Sequence, residues 1–191
     1  MNTPFEPWPK IARLSRECVI SEKLDGTNSS IKITDEGEFL IGSRTRWISP
    51  EDDNFGFARW ARSHETELRT LGVGHHYGEW YGAGIQRNYG LKEKKFALFN
   101  TLRWIESEDE RFDSKQEIVP ACCGVVPILY RGLFDTAIVN DEVERLRSHG
   151  SVEVPGFPRP EGVIVYHIAA GVSFKKLLEK DELPKGIADK N

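Results

Sequence analysis

The chain has 191 residues, of which 39% are hydrophobic and 10% aromatic, and this is enough apolar material for one domain with its own core. Its 26 basic and 30 acidic residues are mixed along the chain and give a formal net charge of -4, so no overall positive field marks a nucleic-acid or membrane binder. We therefore expect a single domain over residues 1–191, in which a local patch holds any nucleic acid.

The cysteines and histidines do not follow the spacing of a metal site. Cys122 and Cys123 are adjacent and Cys18 is distant, which favours free thiols in a reducing cytoplasm. The neighbours His75 and His76 would point to opposite faces of a strand, which argues against a shared zinc ion. No apolar run reaches the length of a signal peptide or a membrane-spanning helix, so we expect a soluble cytoplasmic protein without a membrane partner.

Strand patterns outnumber helical ones and predict an α+β fold, with antiparallel β-sheets flanked by helices. In chain order, the first predicted hairpin joins residues 29–33 to residues 38–43 across a turn at 34–37. Residues 21–28, which include a Lys-x-Asp-Gly sequence, would then lie at the mouth of a sheet.

Residues 54–71 predict one amphipathic helix. Asp53 or Asn54 would cap its start and Gly72 its end. His64 falls among the core positions, so we expect it to be partly buried and to pack rather than to do chemistry. The apolar or semi-apolar positions follow 4-3-4-3 spacing and are Phe57, Ala61, His64, Leu68 and Leu71.

The remaining strands are predicted from the two-residue period of a strand, and the remaining helix from the 3.6-residue period of a helix. Short strands are expected at residues 77–81 and 95–100, and the charged stretch 106–116 reads as an exposed connection. A helix is expected at 136–148, with Asp135 as its cap and Gly150 at its end. A last hairpin is expected from residues 162–168 and 172–176.

The segment Ser21-Glu22-Lys23-Leu24-Asp25-Gly26-Thr27-Asn28 carries the clearest chemical signal. A free lysine has a pKa of about 10.4, so a lysine nucleophile needs burial or neighbouring cations before it can attack phosphorus. Lys175 and Lys176 are the candidate cations, and Gly26 would permit an unusual backbone turn. Alone, this short motif also fits an ordinary surface turn.

Five downstream segments favour a chemical role for this motif over an ordinary surface turn, because all five occur in the order that the chemistry needs. They are Gly42-Ser43-Arg44, Gly78-Glu79-Trp80, Phe96-Ala97-Leu98-Phe99, Glu161-Gly162-Val163-Ile164-Val165 and Phe174-Lys175-Lys176. Together with the lysine motif they resemble the covalent nucleotidyltransferase superfamily of polynucleotide ligases and mRNA capping enzymes. The Glu-Lys-x-Asp-Gly-Thr-Asn form is most similar to the RNA ligase 2-like family, whose adenylation domain has an ATP-grasp-like nucleotidyltransferase fold.

The resemblance implies a role for each matching residue. Lys23 would become adenylylated, and Lys175 would be the second catalytic residue, gripping the α-phosphate. Glu161 would bind the metal and assist nucleotide transfer. The residues implied to bind the nucleotide are Glu22, Asp25, Gly26, Thr27, Asn28, Arg44, Glu79, Phe99, Glu161, Lys175 and Lys176.

The sequence departs from the family pattern in two places. Asn100 follows Phe99 where an aspartate is usual, and the two final lysines are adjacent rather than alternating. Because adjacent strand residues face opposite sides, only one lysine should reach the phosphate, and we favour Lys175. Phe99 is expected to stack on adenine, with Phe96 on the same strand face as the substitute.

The implied activity is ATP-dependent RNA ligation with Mg²⁺. Lys23 would form lysyl-AMP, AMP would pass to a 5′-phosphate RNA end, and a 3′-hydroxyl end would displace it. The chain ends soon after Lys176, so we expect a minimal form without a C-terminal domain. Three alternatives follow: a stripped-down ligase, a ligase that depends on a protein partner for RNA binding, and an enzyme that acts efficiently only on pre-adenylylated ends. The candidate phosphate-binding patch, which an ordinary solvated surface explains equally well, is Arg87, Lys92, Lys94 and Lys95.

Two other functions stay open at this point. The first is a DNA ligase or a capping-type guanylyltransferase, which uses the same lysine chemistry. The second is a nucleotide-binding or RNA-binding module that does not turn over. Lys23, Glu79, Glu161 and Lys175 argue against the module, because simple binding does not need a nucleophile.

Overall fold

The computed structural model describes residues 3–106 and 116–182. The strands are β1 (Glu17–Lys23), β2 (Thr27–Ile33), β3 (Phe39–Ser43), β4 (Gly74–Gly82), β5 (Lys94–Leu98), β6 (Trp104–Ile105), β7 (Glu117–Ile118), β8 (Gly124–Val125), β9 (Ile128–Leu133), β10 (Gly162–His167) and β11 (Val172–Leu177). The helices are α1 (Phe57–Ser63), α2 (Glu65–Leu68) and α3 (Thr136–His149), and a 3₁₀ turn spans Arg69–Leu71.

Among the described residues, a four-stranded sheet and a five-stranded sheet make up most of the fold. The first sheet has the strand order β11-β10-β1-β9, and all its pairs are antiparallel. The second has the order β3-β2-β4-β5-β8, in which only β5 and β8 pair in parallel, while β6 and β7 form a small parallel pair. The predicted α+β fold with antiparallel sheets is confirmed.

Each sheet packs one face against helices. Helix α3 covers the first sheet through Val143 and Leu146, which join the buried Val163 and Val165 of β10. Helix α1 covers the second sheet, where Phe57 is fully buried. A third apolar cluster joins the ends of the two sheets and contains Leu24, Tyr81, Tyr89, Ala97 and Val126. Leu24 directly follows β1, and Tyr81 and Ala97 lie on β4 and β5, so this cluster packs the end of the first sheet against the second.

Both predicted hairpins are confirmed. Strands β2 and β3 pair from Ser29 opposite Ser43 to Ile33 opposite Phe39, and Gly37 takes a φ of 83° in the turn. Strands β10 and β11 pair across a turn that ends at Gly171. Local turn chemistry and alternation were sufficient for these elements.

Helix α3 is also confirmed. Asp135 accepts a hydrogen bond from the backbone N–H of Ala137 at 2.7 Å, which caps the helix start as the sequence predicts. Gly150 follows the last helical residue with a φ of 83°. The buried face carries the predicted Val139, Val143 and Leu146.

The prediction of one continuous helix over residues 54–71 is wrong. The helix stops at Ser63 and restarts at Glu65, because His64 has a non-helical backbone with φ -110° and ψ 16°. The Trp60 carbonyl accepts from the Ser63 hydroxyl and also contacts the His64 ring, so side chains compete for the helical hydrogen bond. The predicted core positions still face inward, and His64 is half-buried as expected.

Two further expectations concern membrane-spanning helices and the charged stretch 106–116. No helix in the part of the chain that the structure describes is long and apolar enough to cross a membrane. The predicted exposed connection at 106–116 falls mostly on residues 107–115, which lie outside the described residues.

Candidate functional site

A cleft of about 1010 Å³ opens between the faces of the two sheets that the helices leave uncovered. Its wall on the first sheet includes Val19, Ser21, Lys23, Ile164, Tyr166, Ser173 and Lys175. Its wall on the second sheet includes Asn28, His75, Tyr77, Glu79 and Phe99, with Arg44 at the edge. Every second residue of β1, β10 and β11 faces the cleft, as the period of a strand requires.

Lys23 is held in the cleft by an ion pair with Glu161. The Lys23 Nζ lies 2.5 Å from the Glu161 Oε2, and both side chains are largely buried. The two residues meet because Lys23 pairs with Gly162 across the sheet, so Glu161 stands beside it at the start of β10. Burial raises the pKa of Glu161, although the positive charge of Lys23 opposes that shift.

Glu79 forms the opposite wall and fixes the motif loop. Its carboxylate accepts hydrogen bonds from the Gly26 backbone N–H at 2.9 Å and from the Asn28 side-chain amide at 3.3 Å. Burial raises the pKa of Glu79 to about 7, while the Lys23 charge lowers it in part. The carboxyl group can therefore exchange a proton near neutral pH.

Gly26 acts by its size rather than by an unusual backbone angle. A Cβ at this position would lie 2.3 Å from the Trp80 carbonyl oxygen, and Gly26 is not among the residues with positive φ. The expectation of an unusual turn is therefore wrong. The missing side chain lets the loop lie directly on β4, which brings the Gly26 N–H to Glu79.

Asp25 and Thr27 are held by the protein beside the cleft. The Asp25 carboxylate pairs with the Arg87 guanidinium at 2.8 Å, and its backbone N–H donates to the Tyr89 hydroxyl at 2.8 Å. The Thr27 hydroxyl accepts from the Asn54 amide at 2.9 Å. These contacts position the motif loop, and neither side chain forms the cleft wall.

Glu22 is among the residues that line the cleft, but its carboxylate is engaged elsewhere, and its binding to the nucleotide stays a prediction. Glu22 is next to Lys23 on β1, so its carboxylate points to the other face of the sheet. There it accepts from the Ser151 hydroxyl at 2.6 Å and from the backbone N–H groups of Val152 and Glu153 at 2.7 and 3.0 Å. Only 1% of the residue is exposed. Glu22 thereby anchors the loop after α3.

We expect Glu22→Ala to lower the free energy of unfolding by about 3 kcal/mol, because the buried Ser151 hydroxyl and two partly buried backbone N–H groups lose their acceptor. Urea unfolding followed by circular dichroism measures this loss. Glu17→Ala is the matched control on an exposed position of the same strand and should change stability by less than about 0.5 kcal/mol. Equal stability of the two variants would contradict the structural role.

Lys175 and Lys176 lie on opposite faces of β11. Lys175 lines the cleft in a cross-strand row with Ile164 and Ser21. Lys176 lies on the other face, in a smaller cavity beside Arg147 of α3. Only Lys175 therefore shares the cleft with Lys23, and which lysine contacts a phosphate stays a prediction.

The expectation that Phe96 and Phe99 share a strand face is wrong. Phe96 is 1% exposed and packs on Phe57 with ring centroids 4.9 Å apart. Phe99 lines the cleft and is 39% exposed. The two residues are three apart, so alternation puts them on opposite sides. Asn100 also lines the cleft, and its side-chain oxygen accepts from the Arg103 backbone N–H.

The predicted basic patch does not form as one surface. Arg87 is paired with Asp25, and the Lys94 amine donates to the Phe55 carbonyl at 2.7 Å. Lys92 and Lys95 remain exposed, but none of these four residues lines the cleft. The solvated-surface interpretation fits this part of the molecule better.

Within residues 3–106 and 116–182, no group of three or more His, Cys, Asp or Glu residues could hold a metal ion. Glu161 is the carboxylate nearest to Lys23 and is already paired with it. A cation at this site would therefore need most of its oxygen ligands from a bound phosphate group, as Mg²⁺ commonly does.

Sequence reasoning missed several residues at the site. His75 and Tyr77 line the cleft with Glu79, and their spacing along β4 was the available signal. Arg87 and Tyr89 hold Asp25 from a loop, where no periodicity could have marked them.

Comparison with known proteins adds a family and a fold. A family model described as RNA ligase matches residues 16–177. Mutants of a Naegleria gruberi RNA ligase are similar in structure: one with ATP and Mn at TM-score 0.57 and 19% identity, an apo form at 0.56 and 21%, and one with AMP and Mn at 0.54 and 20%. Each comparison covers 88% of this chain and 52%, 52% and 53% of those chains. The chain thus spans about half of their length, and at this identity the likeness concerns the fold.

Proposed function

This chain belongs to the RNA ligase family, and from that premise we propose that it is an ATP-dependent enzyme that attaches AMP to Lys23 and passes it to RNA ends. The observation that carries the proposal is the pairing of Lys23 with Glu161 inside a cleft whose other wall carries Glu79. A lysine that only stabilised the fold would not need a cleft large enough for a nucleotide in front of its amine.

The first step is attack of the Lys23 amine on the α-phosphorus of ATP. A nitrogen–phosphorus bond forms, the bond to the bridging oxygen of the β-phosphate breaks, and pyrophosphate leaves with that electron pair. The Lys23 ammonium must first lose a proton. The Glu161 carboxylate is 2.5 Å away and is more basic than usual because burial raises its pKa, so it is the natural acceptor.

The cleft offers a partner for the adenine, the ribose and the α-phosphate of ATP. Phe99 has an exposed ring on the wall for stacking on adenine. The Glu79 carboxylate suits the ribose hydroxyls, and its pKa of about 7 lets it accept or donate a hydrogen bond. Lys175 lies on the same face as Lys23 and would neutralise the α-phosphate.

The site residues fit a divalent cation that is bound mainly through ATP. Glu161 would be its protein ligand once it has left Lys23 and passed the proton on to solvent, and phosphate oxygens would complete the shell. Such an ion supplies neutralisation of the charge that develops on the phosphate and leaving group. Structures of the Naegleria relative were obtained with ATP or AMP and Mn, which supports a divalent ion of this kind here.

The later steps rest on the family. AMP would move from Lys23 to the 5′-phosphate of an RNA end, and a 3′-hydroxyl would then displace AMP and close the phosphodiester bond. The RNA ligase match favours RNA over the DNA ligase and capping alternatives. The Lys23–Glu161 pair favours catalysis over a module that only binds.

Intact-protein mass spectrometry after incubation with ATP and Mg²⁺ tests the proposal. We expect a gain of one AMP, which disappears when 5′-phosphorylated RNA with a free 3′-hydroxyl end is added and joined product appears on a gel. GTP and the DNA of the same sequence are the comparisons. An adduct only with GTP would indicate capping chemistry, and neither an adduct nor a mass loss with pyrophosphate would indicate a binding module.

A further inference from the structure

Three ring side chains lie side by side on the cleft face of the second sheet, in solvent. Trp47 is 49% and Tyr77 55% exposed, and His75 lies between them. The ring centroids of Trp47 and His75 are 5.7 Å apart, and those of His75 and Tyr77 are 4.0 Å apart. The buried core of this sheet lies on its opposite face, around Phe57. These rings therefore contribute little to the folded core, and their exposure needs another explanation.

Hydrogen bonds and strand pairing position the three rings of Trp47, His75 and Tyr77, here called the ring row. Ser30 and the His75 Nε2 share a hydrogen bond at 3.0 Å, and the Tyr77 hydroxyl and the His75 Nδ1 share another at 2.7 Å. The Trp47 ring rests on Gly42, where a Cβ would come within 3.2 Å of it. Gly42 and Tyr77 both pair with Ser30, so one row across three strands sets the position of all three rings.

The side chains around the ring row suit a ligand that carries several negative charges and planar ring groups. Burial and the charge of Lys32 lower the pKa of His75, so its ring is neutral at pH 7 and offers a π-face rather than a charge. Lys32 and the exposed Arg44 supply positive charge beside the row. Aromatic planes next to isolated cations are the combination that binds unpaired nucleic-acid strands.

We propose that Trp47, His75 and Tyr77 form a stacking surface for the unpaired bases of the RNA strand that enters the cleft. The inference rests on the proposed function, since it names the form in which that substrate binds. Bases within a duplex already stack on each other and cannot cover these rings, whereas the bases of a single strand can.

The position of the row agrees with delivery of a strand end to Lys23. His75 and Tyr77 are part of the cleft wall, and Glu79 is the next residue on the same face of β4. Two residues of a strand span about 7 Å, which is close to one extended nucleotide step. A base on Tyr77 would therefore place its neighbour at the entrance of the nucleotide site.

Fluorescence anisotropy with a labelled single-stranded RNA, measured without ATP, tests the proposal. We expect Trp47→Ala and Tyr77→Ala each to weaken binding about 5- to 10-fold, since each variant loses the ring on which one base stacks. Trp47→Phe keeps a ring and should recover most of the affinity. Phe174→Ala is the matched control, because Phe174 is 58% exposed on β11 but faces away from the cleft.

Binding of a blunt RNA duplex should change less than about twofold in the same variants. Equal losses on duplex and single strand would overturn the stacking surface, and so would Trp47→Ala and Tyr77→Ala variants that bind single strands like Phe174→Ala. Thermal melting checks that each variant is folded. AMP adduct formation is measured separately, so its failure would contradict the proposed function while leaving the binding result interpretable.

Discussion

Lys23→Ala is expected to abolish the AMP adduct, with a loss of adduct formation on the order of 10³-fold or more, because the variant has no amine to attack phosphorus. The measurement is intact-protein mass after incubation with ATP and Mg²⁺. Lys95→Ala is the matched control: Lys95 is an exposed lysine on β5 outside the cleft, and its loss should leave the adduct unchanged.

A wild-type protein that shows no gain of mass needs one more measurement. If it is purified already adenylylated, pyrophosphate should reverse the first step and remove one AMP. The Lys23→Ala variant should show no such mass loss. An adduct that persists in Lys23→Ala would place the nucleophile elsewhere and contradict the assignment of Lys23.

The rate of AMP adduct formation is expected to be about two orders of magnitude lower in Lys175→Ala than in Lys176→Ala. Lys175 shares the cleft with Lys23, and removal of one charge-stabilising group commonly costs about 10²-fold in rate. Lys176 faces α3, so its removal should change the rate less than about threefold. The rate of AMP adduct formation at saturating ATP measures the difference.

The adjacency of the two lysines makes this comparison sharp. Both substitutions remove the same group from the same strand, so general effects on β11 or on net charge should be equal. A larger loss in Lys176→Ala would contradict the orientation of the strand. Equal and small losses would remove Lys175 from the proposed mechanism while leaving Lys23 untouched.

Local signals predicted most of the fold correctly. The two hairpins follow from alternation and from turns that contain Gly37 and Gly171, and α3 follows from its cap at Asp135 and its end at Gly150. These features are encoded within a few neighbouring residues, so no tertiary information is needed to find them. The resemblance to RNA ligases rested on ordered motifs and is confirmed by the family match.

The sequence did not predict features that depend on contacts between distant residues or on side-chain hydrogen bonds to the backbone. At the helix break the Trp60 carbonyl keeps its bond from the His64 backbone N–H and also contacts the Ser63 hydroxyl and the His64 ring, and periodicity does not register such side-chain contacts. The Glu22 carboxylate was assigned to the nucleotide because it adjoins Lys23 in the motif. On β1 this carboxylate accepts from donors around Ser151, a contact between distant residues that the motif does not show, and its role toward the nucleotide stays a prediction.

The sequence by itself determined the strands β2–β5, β10 and β11, and the set of residues that mark the family, because these depend on residue type and short-range spacing; the other strands, including β1 and β9 of the first sheet, were not predicted. Only the tertiary structure decided which of those residues meet. It put Glu161 against Lys23 across 138 positions of sequence, chose Lys175 over Lys176 for the cleft wall, and tied Asp25 to Arg87. Contacts of this kind arise from strand pairing and from the packing of two sheets, and a linear pattern does not contain their geometry.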